Sequence, residues 1–169
     1  MANAESKLGS VRRAVAGDEE LIRGVRLAAL SDAPAAFEST LERERTRTEA
    51  EWRSWIERGA VFVLERADGA CGIAAGVQHT TEPAAVFLVS MWVAPAARGT
   101  GAGDQLVAAV LDWAAARGAR EVCLHVTQGN ARAQAFYLKN GFRLNGEQLV
   151  RQRDGTIELE MRRPVGTRS

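Results

Sequence analysis

Between Arg98 and Gly103 the chain reads RGTGAG, three glycines at alternate positions directly before a long helical pattern. Glycine permits tight turns and lets backbone amides come close to a ligand. A helix start adds free N–H groups and the positive end of the dipole, so the pair suits a phosphate. A nucleoside-triphosphate loop needs GxxxxGK[ST], with lysine on the terminal phosphates and a hydroxyl on magnesium. Asp104 follows the last glycine here, and neither lysine nor hydroxyl is in place. A dinucleotide loop needs GxGxxG near the start of a strand–helix–strand unit, with an acid about 20 residues on. Asp104 stands where its third glycine belongs, and Glu121 alone, an acid at a strand start, carries little. ATP, GTP and NAD are poor occupants, which leaves another phosphate-bearing ligand or a glycine-rich turn that serves only as a connector.

The elements around the loop are read from periodicity and punctuation. SVRRAV reads as a first strand, and Asp18 as the N-cap of a helix through EELIRGVRLAAL that stops near Pro34. AAFESTLERERTR has no clean period. Thr48 and Glu51 have capping-box spacing for a helix over TEAEWRSWIERG, which Gly59 terminates. AVFVLERADGACGIAAGVQHT reads as two strands around ADGA, and AAVFLVSMWVAP as a central strand covered on both faces. After the loop and its helix come the strand EVCLHVT and the helix ARAQAFYLKN closed by Gly141. The strands FRLNGEQLV and TIELEMRR, around RQRDG, end the order. The alternation predicts a mixed α/β sheet. Trp52 and Trp55, at i,i+3, are assigned to core, as are Leu106, Val110 and Trp113 on one stripe of the loop's helix.

Composition fits that reading. The 169 residues are 46% hydrophobic and 25% charged with a net charge of +1, the profile of a globular chain with no general attraction to nucleic acid. No segment has the ~18 apolar residues of a membrane span. Cys71 and Cys123 lack CxxC or His-rich company, so they are expected as reduced core residues of a cytoplasmic protein without a metal, with a disulfide as the alternative. Residues 1–9 are expected to be a short mobile leader and 10–165 one domain.

Four pieces in this order, SMWVAP, RGTGAG, NARAQAFYLKNGF and ELEMRR, resemble the GNAT superfamily of acetyl-CoA-dependent N-acetyltransferases over nearly the whole chain. The resemblance implies a mixed, mostly antiparallel central sheet of about seven strands flanked by four helices. It implies acetyl-CoA as co-substrate, its pyrophosphate on Arg98, Gly99, Thr100, Gly101, Ala102 and Gly103. The pantetheine arm would lie on the backbone of Met91 and Val93, as though it were an added strand. Asn130, beyond capping its helix, would contact that arm, with Ala133 and Phe136 against the cofactor. The acceptor would be a small-molecule or peptide amine, and a homodimer is compatible with the family.

Tyr137, the single tyrosine, occupies the place where the family's tyrosine serves as general acid for the departing CoA thiolate. A phenol stays protonated at neutral pH and can supply that proton. Many family members carry a glutamate early in the central strand as base; Phe87 stands there in this chain. The base of the ribosomal-protein members lies in the next strand, at the position of His125, twelve residues before Tyr137. Imidazole can take a proton near neutral pH, although a structural role for His125 is an equal alternative. His79 and Glu82 are further candidates. The resemblance sets LSDAPAAFESTLERERTR as a wall over the acceptor cleft, with VRQRDG lining its other side; there Asp32, Glu38 and Glu42 could attract an amine cation, with solvated charges as the plainer reading. A non-catalytic acyl-CoA-binding module of the same fold is the alternative function.

Overall fold

The computed structural model describes residues 9–166, so most of the expected leader lies outside the described residues. Seven strands form one sheet in the order β1-β2-β3-β4-β5-β7-β6. They are β1 (Ser10–Arg13), β2 (Ala60–Arg66), β3 (Gly69–Gln78), β4 (Ala85–Val93), β5 (Glu121–Thr127), β6 (Arg143–Val150) and β7 (Ile157–Pro164). Only β4 and β5 run parallel; every other neighbouring pair is antiparallel.

Alternation along the strands sends side chains to two separate layers. Phe62, Leu64, Leu88, Leu124 and Val126 pack under α4 (Ala102–Ala116) and α5 (Ala131–Lys139), with Leu106, Val110 and Phe142. Val61, Val63, Ile73 and Ala75 pack on the opposite face, under α1 (Glu19–Asp32) and α3 (Glu49–Arg58), with Ile22, Leu30, Trp52 and Ile56. Helix α4 comes close to the sheet because β3 carries Gly76: a Cβ there would lie 2.4 Å from the Trp113 ring.

The expected fold class stands, with one addition. The segment without a clean period forms a 3₁₀ turn, Pro34–Ala36, and a fifth short helix, α2 (Leu41–Arg45). The Thr48–Glu51 capping box forms as its spacing predicts. Asp18 sits at the N-cap position of α1, yet its carboxylate accepts from Val15 N and Arg12 instead of capping the helix.

Candidate active site

The sheet is split at its centre. β4 and β5 pair only at Ala85–Phe87 against Glu121–Cys123, and beyond those three rungs the strands part. On its other edge β4 bulges: Val89 pairs Ala75 and Trp92 pairs Ile73, leaving Ser90 and Met91 opposite one residue. Ser90 adopts φ +57°, a left-handed conformation a non-glycine residue rarely takes. A cavity of about 420 Å³ runs through the split, from Ala33, Ala36 and Phe37 on one face to Gly99, Gly103 and α5 on the other.

The RGTGAG loop leads into α4 through two left-handed glycines, Gly99 at φ +74° and Gly101 at φ +86°. Gly101 caps α4 with no side chain in the way, so the first-turn N–H groups are left for a ligand. Gly103 is needed for a different reason. A Cβ there would meet the Phe136 ring at 2.9 Å. Arg98 and Gly99 line the cavity with Gly103, whereas Thr100, Gly101 and Ala102 do not. The Arg98 guanidinium is turned back onto the protein, donating to Val93 O at 2.9 Å and to Asp32 Oδ2 at 2.5 Å. The Thr100 hydroxyl donates to Ala97 O and accepts from Arg66. The Thr100 hydroxyl is thus engaged, whereas Arg98 uses two of its five N–H donors in these contacts and keeps its place beside the cavity with the loop's backbone amides.

From α5, Asn130, Ala133, Phe136 and Tyr137 reach the same cavity, together with Met91 and Val93 of β4. Asn130 also caps its helix, accepting from Ala133 N at 3.1 Å. The Tyr137 ring lies edge-on to Phe136 and Phe142. Burial pushes its phenol well above the ordinary value, so it is held protonated at neutral pH. Among the described residues no hydrogen bond engages that hydroxyl. The α5 helix contributes one lining residue the sequence reading passed over, Arg132. A cation on the first turn of the helix that follows Asn130 was the available signal.

His125 reaches the cavity from the other face. Val122, Leu124 and Val126 point to the layer under α4 and α5, so alternation along β5 turns His125 towards the α1–α3 side. There it packs 5.3 Å from Phe87, whose ring stacks on His79 at 4.3 Å. Its Nε2 lies 3.9 Å from Glu160 Oε2 on β7. Arg162 binds Glu160 and also Glu82 and Glu121, and that contact holds the Glu82 carboxyl below the usual carboxylate range. His79 is tied down as well, its Nδ1 accepting from the amides of Thr81 and Glu82. Glu82 and His79 thus serve structure, and neither lines the cavity. Cys123, on the same strand, is buried and free, its thiol pushed up to about 11 by burial.

The segment Ala33–Phe37 crosses over the split on the His125 side, and its partners were not foreseen. Asp32 accepts from Trp92 Nε1 at 3.0 Å as well as from Arg98. Those two donors hold its carboxyl below the usual range, and it is no free attractor of amines. At the far margin, Arg151 donates to Ala35 O at 3.1 Å and Arg153 to Phe37 O at 2.8 Å. Arg151 is itself buried and paired with Glu158 at 2.6 Å. Among the described residues no group of His, Cys, Asp and Glu is arranged to hold a metal, and no helix is long and apolar enough to cross a membrane.

The split sheet and the free amides at the start of α4 frame one cavity, and comparison with known proteins gives the family of the chain that builds it. The model of the acetyltransferase (GNAT) family matches residues 27–142, and the chain belongs to that family. It is 46% identical over 66 residues to an uncharacterized N-acetyltransferase of Mycobacterium tuberculosis, covering 39% of this chain and 42% of that protein. A mycothiol acetyltransferase of Amycolatopsis mediterranei is 32% identical over 142 residues, 79% of this chain and 46% of the relative. The matches thus span less than half the length of these relatives. Among solved structures, yncA of Salmonella typhimurium with its cofactor acetyl-CoA superposes with a TM-score of 0.76 at 20% identity, covering 95% of this chain and 96% of that one.

Proposed function

We propose that the protein is an N-acetyltransferase that moves the acetyl group of acetyl-CoA to a primary amine by direct attack in a ternary complex. The observation that carries the reading is that Tyr137 and His125 line one cavity from opposite faces of the split sheet. The residues present fit the co-substrate. Free amides at the start of α4 suit its pyrophosphate, and the unpaired edge of β4 beyond Phe87 suits its amide-bearing arm. Arg132, exposed on the same cavity, adds a cation for the phosphates.

The neutral amine attacks the thioester carbonyl, the C–S bond breaks, and CoA leaves as thiolate. A backbone amide at Met91 or Val93 is the donor for the carbonyl oxygen. Tyr137 gives its proton to the sulfur as negative charge builds there, its side chain reaching the cavity and its hydroxyl engaged by no other group among the described residues. His125, on the acceptor side with Glu160 behind it, takes the proton the amine loses.

The test is CoA-thiol release from acetyl-CoA over a panel of peptide N-termini, amino acids, polyamines and aminoglycosides, with an amine-free blank. Release above the blank is expected for one class. Tyr137→Phe should then cut turnover while acetyl-CoA still raises the melting temperature. A variant with undiminished turnover would remove Tyr137 from the mechanism. Silence across the panel with stabilisation retained would favour a non-catalytic acyl-CoA-binding module.

A further inference from the structure

Resting on that reaction, we infer that the acceptor is a small primary amine entering end-on beneath the strap Ala33–Phe37, and not a polypeptide N-terminus. The strap is fixed at both margins of the split. Asp32 ties it to Trp92 and Arg98 on the β4 side. Arg151 and Arg153, 116 residues away along the chain, tie Ala35 and Phe37 to the β6–β7 turn. Pro34, Ala35 and Ala36 are exposed, but the strap is anchored and not a free flap. Pro34 stiffens its turn, Phe37 is 7% exposed and belongs to the α1–α3 core layer, and the Arg26 guanidinium stacks on that ring at 4.8 Å. Arg26 is in turn held by buried Glu44 on α2.

Two consequences limit the acceptor. A bound peptide gains affinity by pairing its backbone with an unpaired strand edge or loop. Here the Ala35 and Phe37 carbonyls already accept from arginines, and the strap covers the split on the acceptor face. The second limit is space. A cavity of about 420 Å³ lies near the lower end of the roughly 300–1,000 Å³ usual for ligand sites. It must hold the thioester end of the cofactor arm as well as the attacking amine.

The experiment compares CoA-thiol release at equal amine concentration from two pools. One contains amino-acid amides, ethanolamine, phenylethylamine and putrescine; the other contains octapeptides with free N-termini. The small pool should exceed the octapeptides by about tenfold or more. Arg153→Ala, at a half-exposed side chain, should narrow that ratio by raising the octapeptide rate, and Asp32→Asn, which frees the opposite margin, should do the same. Octapeptides equalling the small amines in the wild type, or a ratio unchanged in both variants, would overturn the inference. Silence from both pools also overturns it. The melting shift with acetyl-CoA, measured alongside, then tells whether the acetyl-transfer reading fails too, because that shift does not depend on the acceptor.

Discussion

The two sides of the cavity are built by different means. On the α4–α5 side much of the lining comes from two local stretches, Arg98, Gly99 and Gly103 of the loop and Asn130, Arg132, Ala133, Phe136 and Tyr137 around α5, with the free amides of the helix start beside them. On the strap side the ties that cross the cavity are long-range side-chain contacts, joining Asp32 to Arg98 and Ala35 to Arg151 across the fold. A wall of backbone is hard to alter by point substitution, whereas a wall of side chains can be remade one residue at a time. The first kind suits a co-substrate shared by a whole family, the second an acceptor that differs between members.

Variants that act on one side only would sharpen this contrast or break it. The largest effect is expected from Tyr137→Phe, a fall in kcat of about 10²–10⁴-fold, the usual contribution of a positioned acid, with acetyl-CoA affinity unchanged by calorimetry. His125→Gln should cost about 10²-fold in kcat/KM for the acceptor. Added imidazole should restore part of that loss, as it would for a missing base and not for a missing packing contact. An undiminished rate in the variant would remove His125 from the reaction.

Gly103→Val forces a Cβ into the Phe136 ring. Overpacking of this kind costs roughly 1–3 kcal/mol, and we expect it as weaker acetyl-CoA binding, about tenfold or more, with the preference among acceptors preserved. A changed preference would mean the two sides are not independent. The smallest effect belongs to Asp32→Asn, about 1 kcal/mol for a partly exposed tie, or a melting shift of a few degrees. Trp92 and Arg98 depress the Asp32 pKa. Its contribution is therefore complete above the ordinary carboxylate value of about 4 and is lost as pH falls through the lower, folded-state value. Wild-type and variant melting curves should converge over that acid range, and a gap persisting below it would contradict the pairing.

The same division explains what was legible in the sequence. The capping box at Thr48, the glycine loop and the asparagine cap of α5 are local patterns, and each forms where its residues predicted. Trp52 could be assigned to core from helical spacing, and it is buried. Arg98 could not be placed. Its type suited a phosphate, but its direction depends on Asp32, sixty-six positions away. The fastening of the strap could not be foreseen: the family resemblance sets LSDAPAAFESTLERERTR as a wall over the acceptor cleft, but AAFESTLERERTR carries no period and its order comes from Arg151, Arg153 and the buried Arg26–Glu44 pair. His125 shows the middle case. Strand alternation gave its face, while its neighbour Glu160 required the register of β5 against β7.

The three rungs joining β4 to β5 also have a mechanical meaning. They make the sheet two leaves on a short hinge, β1 to β4 on one side and β5, β7 and β6 on the other. Arg162 is the pin at the closed end, bonded to Glu82 just ahead of β4 and to Glu121 where β5 begins. An arm laid between the leaves acts as a splint, so the loaded molecule should be stiffer along that one line, read as slower amide exchange at residues 88–93 and 124–127 when acetyl-CoA is bound. Exchange at those residues left unchanged by acetyl-CoA would mean that the arm does not lie between the leaves.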